Sequence, residues 1–211
     1  MKTTNTKIMK DKIGTFAKEK DVVMGAYAPY YDILMKILTL GRDKKLRQLE
    51  LDIAKINEGN YVLEVGCGTG TLSLLAKDRT GTSGKVCGID AASEMIQRAK
   101  MKASRQNKDV EFQVGDISMI PYDNNKFDVV LCSFMIFHIS SEKRGKGFNE
   151  IFRVLKSNGA IVIVDTIKEK GINILNNSMK PLFSETDWGF KKTGILSPQL
   201  AFIRGIAQKS N

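Results

Sequence analysis

Three glycines at alternate positions form the segment of this sequence best suited to hold a ligand. Gly66, Gly68 and Gly70 follow the mainly apolar run Val62–Val65 and precede a stretch with helical spacing. Glycine is needed where a chain turns tightly and where a ligand lies against backbone with no room for a Cβ atom. The spacing differs from the G-x-G-x-x-G of dinucleotide-binding loops, and no lysine follows as in a phosphate-binding loop. We therefore expect a ligand-binding turn that does not hold a pyrophosphate.

Three acidic residues follow or end the apolar runs around this loop. Glu64 lies two residues before the first glycine, where a carboxylate repels a pyrophosphate and suits a cationic ligand. Asp90 follows the next apolar run, and an acid at this position of nucleoside-binding α/β folds accepts the ribose hydroxyls. Asp116 follows the third run, where it can accept a hydrogen bond from an adenine amino group. Since ligands bind at the carboxyl ends of strands in open α/β sheets, the ordered set predicts a cationic nucleoside ligand.

From about Tyr27 to Asp165 the chain resembles the class I S-adenosylmethionine-dependent methyltransferases, in the branch that methylates small molecules, quinones and lipids. The resemblance implies that S-adenosylmethionine is the cofactor and that a methyl group is transferred to a small-molecule or lipid-like acceptor. The motifs that carry it are the glycine loop, Asp90, Gly115-Asp116-Ile117, Ile120-Pro121-Tyr122, Phe127-Asp128-Val129-Val130 and Arg153-Val154-Leu155-Lys156.

The resemblance also implies which residues surround the cofactor. Glu64 and the three glycines are expected around its methionine part, Asp90 at the ribose, and Asp116 with Ile117 at the adenine. The candidate cofactor contacts are Tyr31, Glu64, Gly66, Cys67, Gly68, Gly70, Asp90, Asp116, Ile117, Cys132 and Ser133.

The segment Tyr27–Leu34 is similar to the N-terminal helix of the ubiquinone/menaquinone-biosynthesis methyltransferases. In such enzymes this segment closes over the cofactor, which implies that Tyr27 or Tyr31 lies at the site. The chain departs from that type at Phe137-His138, where the family carries an Asn-Arg pair. Only about twenty residues separate Asp165 from Trp188, where the family has a long insertion. The acceptor pocket is therefore expected to be built differently, and the acceptor atom stays open.

His138 is the candidate catalytic residue. Methyl transfer from a sulfonium is an in-line displacement, so alignment supplies much of the catalysis. A general base is needed only when the acceptor loses a proton before attack. His138 is the sole histidine of the chain, and histidine is the side chain most often used as a general base, although a role at a helix terminus is an alternative. With one histidine and no C-x-x-C pair, the sequence predicts no metal site.

The elements that must position these residues alternate between apolar strands and amphipathic helices. We predict strands over 61–65, 85–89, 110–114, 127–132 and 160–165, with helices between them. Ser93 is the expected N-cap of the helix that follows the second strand. Two further strands, over 189–196 and 199–206, are expected as a C-terminal hairpin. This pattern predicts a three-layer, Rossmann-like α/β fold with a seven-stranded, mostly parallel sheet and an antiparallel C-terminal hairpin. We divide the chain into an N-terminal helical cap, residues 1–60, and a methyltransferase domain, residues 61–211.

The composition narrows the class of protein further. The chain has 211 residues and a formal net charge of +10, of which residues 1–60 and 166–211 each carry +4. The basic ends leave peripheral contact with an anionic membrane open, whereas nucleic acid is not expected because no base-methylation motif is present. Three cysteines, an odd number in apolar or glycine-rich surroundings, and a charged N-terminus predict a cytoplasmic protein with reduced thiols.

Two other functions are compatible with a glycine loop of this kind. The first is an oxidoreductase that binds NAD, against which the glycine spacing and Glu64 both argue. The second is a non-catalytic subunit that binds the cofactor and activates a partner protein.

Overall fold

Seven strands in the described part of the chain form one twisted sheet in the order β3-β2-β1-β4-β5-β7-β6. The computed structural model describes residues 28–38, 41–165, 175, 179–191 and 200–209. The strands are β1 (Tyr61–Val65), β2 (Lys85–Asp90), β3 (Glu111–Val114), β4 (Phe127–Ser133), β5 (Leu155–Asp165), β6 (Phe183–Lys191) and β7 (Leu200–Ala207). The helices are α1 (Tyr31–Leu38), α2 (Asp43–Ala54), α3 (Thr71–Thr80), α4 (Ser93–Arg105) and α5 (Ser141–Val154), with a 3₁₀ turn over Ile136–His138.

The strand directions divide the sheet into two parts. Strands β1 to β5 run parallel, whereas β7 is antiparallel to both of its neighbours, β5 and β6. The order reverses between β1 and β4, which is where ligands bind in open sheets of this kind. The predicted α/β fold with a mostly parallel sheet and antiparallel C-terminal strands is confirmed.

Both faces of β1, β2, β4 and β5 are buried, which explains the nearly continuous apolar runs of these strands. On one face, Leu51 of α2 and Leu72 of α3 share a core with Val62 and Leu131. On the other face, Phe148 and other side chains of α5 pack against β1, β4 and β5. Helix α2 is therefore docked on the sheet through its apolar stripe.

Several predicted boundaries are corrected by the structure. β5 begins at Leu155, directly after α5, rather than at residue 160. The penultimate strand is β6 at Phe183–Lys191, not 189–196, and most of the predicted range lies outside the described residues. The N-cap of α4 is Ala92, so Ser93 is already the first helical residue. The Ser93 hydroxyl donates to the Glu94 carboxylate and caps no backbone N–H.

The described helices are all too short or too polar to cross a membrane.

Candidate functional site

The glycine loop turns sharply at the end of β1. Gly66 and Gly70 have φ values of +70° and +76°, in the left-handed region that favours glycine. A Cβ atom on Gly66 would lie 2.8 Å from Met135 Cγ, and one on Gly70 would lie 2.6 Å from Phe112 Cζ. Both positions thus require glycine through backbone conformation and through close packing.

Asp90 fastens this loop to the end of β2. Its Oδ2 accepts the Gly68 N–H at 2.8 Å, and its Oδ1 accepts the Ala92 N–H at 2.9 Å. Burial raises the pKa of the Asp90 carboxyl, and the two backbone hydrogen bonds oppose that rise. Each oxygen keeps a second lone pair, so the carboxylate can still accept hydroxyl groups from a ligand in the pocket.

A pocket opens at the carboxyl ends of β1 to β4, beside the reversal point of the sheet. The predicted site residues that line it are Tyr31, Gly66, Gly68, Asp90, Asp116, Ile117, Ser133 and His138. The pocket is therefore bordered by the loop, by two of the three predicted acids and by the candidate base.

Four predicted contacts are buried and do not line the pocket: Glu64, Cys67, Gly70 and Cys132. Glu64 is buried and accepts a hydrogen bond from the Ser73 hydroxyl. Burial raises its pKa to about 7, although the Arg47 guanidinium opposes the shift. Cys67 and Cys132 are packed in apolar cores, and burial raises the pKa of both thiols. These thiols are accordingly packing groups.

Asp116 is paired at the far end of the pocket. Its Oδ2 lies 2.6 Å from Lys143 Nζ, and its Oδ1 accepts from both the backbone N–H and the hydroxyl of Ser118. Burial alone raises the pKa of Asp116, but the lysine and the serine outweigh it and hold the pKa below its usual value. A ligand amino group at Asp116 has to share this carboxylate with Lys143.

The chain leaves β4 through a strained residue. Phe134 has a φ of +54°, and its N–H donates to the Val164 carbonyl at 2.8 Å. This bend places Met135 over Gly66 and leads into the 3₁₀ turn that ends at His138. His138 is exposed and lines the pocket, so its imidazole lies where the pocket meets solvent.

Helix α1 completes the pocket wall through Tyr31. Tyr31 Cε1 would lie 3.7 Å from a Cβ atom on Gly68, and burial raises the pKa of the Tyr31 hydroxyl. Beside it, Asp32 accepts from the Thr69 hydroxyl at 2.6 Å and pairs with Lys102 Nζ at 2.7 Å. Helix α1 is thereby tied to the glycine loop and to α4. Tyr27, the other tyrosine predicted at the site, lies outside the described residues.

Sequence reasoning missed two buried charges of α2, Arg47 and Glu50, which are 6 % and 2 % exposed. They share the helix face of the apolar residues Leu46, Leu51 and Ala54. Helical spacing puts positions 47, 50 and 54 on one side of α2, and this shared face with Ala54 is the sequence signal that relates the two charges to the buried side. The spacing alone does not distinguish a buried charge from one that faces water. Arg47 and Glu50 do not line the pocket themselves. The lining residues that were not predicted are Val65, Ala91, Met95, Gly115, Phe134, Met135, Ile139 and Lys143.

Comparison with known proteins places this geometry in a family. Residues 62–159 match the model of a methyltransferase domain. A ubiquinone/menaquinone biosynthesis C-methyltransferase from a Geobacter species is 37% identical over 145 residues, which cover 68% of this chain and 61% of that protein. A demethylmenaquinone methyltransferase from Lactobacillus johnsonii is 30% identical over 163 residues, covering 75% of this chain and 66% of that protein.

The chain belongs to the class I S-adenosylmethionine-dependent methyltransferases. The resemblance inferred from its motifs is confirmed. The chain spans about three fifths of the length of the first curated relatives it matches.

Solved structures show the same fold at low sequence identity. A methyltransferase from Aquifex aeolicus has a TM-score of 0.61 and 24% identity, and covers 78% of this chain and 96% of its own. The N-methyltransferase NodS from Bradyrhizobium japonicum, solved with S-adenosylhomocysteine, has a TM-score of 0.67 and 12% identity, and covers 79% of this chain and 88% of its own.

The pocket of this methyltransferase fits S-adenosylmethionine chemically. The cofactor has a sulfonium and an ammonium group but no phosphate. Among the lining residues, Asp90 and Asp116 are acidic, and the ammonium of Lys143 is already paired with Asp116. Glu64 is buried at the end of β1, and in its ionised form it would repel a pyrophosphate. The NAD-dependent oxidoreductase considered above therefore has no support from the loop, the acids or the family.

Proposed function

We propose that this chain transfers a methyl group from S-adenosylmethionine to a small-molecule or lipid-like acceptor, with quinone-type rings as the first class to test. The observation that carries the proposal is the pocket formed by the glycine loop, Asp90 and Asp116 at the reversal point of the sheet. The names of the relatives, which act in ubiquinone and menaquinone biosynthesis, support the choice of quinone-type acceptors.

Each side chain of the pocket has a proposed task. The cofactor supplies a methyl group on a sulfonium. Gly66 and Gly68 present backbone to its methionine part, Asp90 accepts the ribose hydroxyls, and Asp116 accepts from the adenine amino group. Tyr31 covers the loop and excludes water from it. His138 takes a proton from those acceptors whose attacking atom carries one.

The organisation of the whole chain is part of the same proposal. Residues 1–60 act as the cap over a methyltransferase domain, residues 61–211, and α1 and α2 contribute to this cap through Tyr31 and Arg47. The buried, unpaired cysteines support a cytoplasmic location. Peripheral contact of the basic ends with anionic membrane is compatible with a lipid-like acceptor.

A methyl-transfer screen with labelled cofactor tests the proposed function. The full chain is incubated anaerobically with quinols, phenols, thiols, amines and phospholipids, and transfer of label to each acceptor is measured. Turnover of a quinol or phenol supports the proposal. Tight binding of S-adenosylhomocysteine without turnover of any class favours the non-catalytic partner subunit, and absence of that binding contradicts both.

A further inference from the structure

A buried polar network lies under helix α2, on the same face of the sheet as Glu64 and Ser133. Glu64 is paired with Leu131 across β1 and β4, and Ser133 follows two residues later, so both side chains point to one face. Arg47 Nη1 donates to Ser133 Oγ at 3.3 Å, and Ser133 Oγ donates to Glu50 Oε1 at 3.1 Å. Helix α2 thus contacts the end of β4 through a serine that also lines the pocket.

The two hydrogen bonds fix what the Ser133 hydroxyl can offer to a ligand. A serine hydroxyl has one proton and two lone pairs. The proton is given to Glu50 and one lone pair receives the Arg47 N–H. The remaining lone pair is what the pocket can use, and a lone pair only accepts hydrogen bonds.

We propose that Ser133, oriented by Glu50 and Arg47, is a specificity residue that selects a ligand group carrying an N–H or O–H at the end of β4. Two ligands of the proposed reaction carry such a group: the α-ammonium of the cofactor and a hydroxyl or amine of the methyl acceptor. The inference rests on the proposed function and deepens it, because it states what the matching part of the ligand must donate.

The charges around Glu50 make this selection depend on pH. Glu50 faces Arg47 and Asp43 on its own helix, Ser133 on β4 and Asp165 on β5, with Glu64 of β1 also close to Arg47. Burial raises the pKa of Glu50 to about 7, while Arg47 and Ser133 oppose the rise. Above that pH the carboxylate holds the serine proton. Below it, the protonated acid can donate to Ser133 and free the serine proton for the pocket.

Two ligand pairs distinguish the sources of the donor, and neither needs turnover. S-adenosylhomocysteine and 5′-methylthioadenosine differ in the amino-acid part that bears the ammonium. 1-Naphthol and 1-methoxynaphthalene, titrated in the presence of S-adenosylhomocysteine, differ in one O–H. Dissociation constants are measured by calorimetry at pH 6 and pH 8 for the wild type, Ser133→Ala and Glu50→Gln. Asp52→Asn is the control, since it removes one carboxylate from the exposed side of α2.

At pH 8 we expect the wild type to favour the donor-bearing member of one pair at least tenfold, and Ser133→Ala to lose that preference. The preference is expected to weaken at pH 6 in the wild type and in Asp52→Asn but not to change with pH in Glu50→Gln. No preference in either pair, or an equal preference in Ser133→Ala, overturns the inference. A failure of the proposed function is separate, because it is measured as absent turnover in the acceptor screen.

Discussion

At the scale of single residues, Asp90 connects the two parts of the pocket wall. Its carboxylate holds the loop at Gly68 and the start of α4 at Ala92, and the residue lines the pocket. A hydrogen bond to a charged group contributes roughly 1.5–3 kcal/mol, so Asp90→Ala is expected to weaken S-adenosylhomocysteine binding at least tenfold. Calorimetry measures the change, with Asp78→Ala as a surface control. An unchanged dissociation constant would mean that Asp90 does not hold the ribose.

His138 gives a second prediction at this scale. Its imidazole is exposed and lines the pocket, and the residue follows β4 rather than belonging to the glycine loop after β1. We expect His138→Ala to lower kcat for acceptors with a dissociable proton, while the affinity for S-adenosylhomocysteine stays within about twofold. Steady-state kinetics and calorimetry on the same preparation test this. Equal turnover by the variant and the wild type removes the assignment of His138 as the base.

At the scale of elements, α1 is held on the pocket through a small number of polar contacts. Asp32 joins it to Thr69 on the loop and to Lys102 on α4. The hydrogen bonds of Lys102 and Thr69 and the charge of Lys102 outweigh burial and lower the pKa of Asp32, so it is ionised at neutral pH. Helix α1 is only eight residues long, and isolated helices of this length are unstable in water.

Asp32→Asn is therefore expected to loosen α1 selectively. Because the ion pair with Lys102 is lost, amide hydrogen exchange over 31–38 is expected to speed up, whereas exchange in β1 and β4 stays unchanged. S-adenosylhomocysteine binding is expected to weaken severalfold as Tyr31 leaves the loop. Exchange followed by mass spectrometry is the measurement, and Asp52→Asn is the matched control. Faster exchange in the sheet as well would show a general loss of stability instead.

The strands beside the site were predictable because both of their faces are buried. Apolar runs at 61–65, 85–89 and 127–132 match β1, β2 and β4 to within one residue. The start of β5 was not predictable, because Lys156, Ser157 and Asn158 interrupt the apolar pattern. β6 is one of the two edge strands of the described sheet, and its sequence includes Glu185 and Asp187. An edge strand has less buried surface, so its hydrophobic pattern is weaker.

The residues of the candidate site were predictable where the residue type is required by the backbone conformation or by the charge of the ligand. Glycines after a strand and acids at strand ends are visible in a sequence. Of these predicted residues, Gly66, Gly68, Asp90 and Asp116 line the pocket, whereas Gly70 and Glu64 are buried and do not. The network of Arg47, Glu50 and Ser133 was not predicted, since a charged residue on an amphipathic helix normally faces water. Only the docking of α2 on the sheet shows that these charges are buried.

At the scale of the whole molecule, the net charge is positive, whereas the buried titratable groups under α2 are mainly acidic. The chain carries +10, yet Glu50 and Glu64 are two buried acids near one buried arginine. When helix α2 packs on the sheet, Glu50 and Glu64 are removed from water. Desolvation favours the neutral, protonated forms of these two acids. Part of the stability of the fold is therefore linked to protonation beside the pocket.

This linkage predicts how stability changes with pH. Burial raises the pKa of Glu50 and of Glu64 from an ordinary value near 4.5 to about 7, so between these values the folded chain binds more protons than the unfolded chain. The free energy of unfolding is therefore expected to fall as pH rises from about 4.5 to 7 and to level off above 7. Urea unfolding at pH 5, 6, 7 and 8 measures the trend.

The double variant Glu50→Gln, Glu64→Gln is expected to flatten this dependence, since neither amide titrates. Asp52→Asn with Asp78→Asn removes two exposed carboxylates and is expected to keep the wild-type slope. Stability that rises between pH 5 and 7, or an unchanged slope in the double glutamine variant, would show that the buried acids are ionised throughout. In that case Arg47 would stabilise the ionised carboxylates of both Glu50 and Glu64. Ligand selection at Ser133 would then not depend on pH in this range.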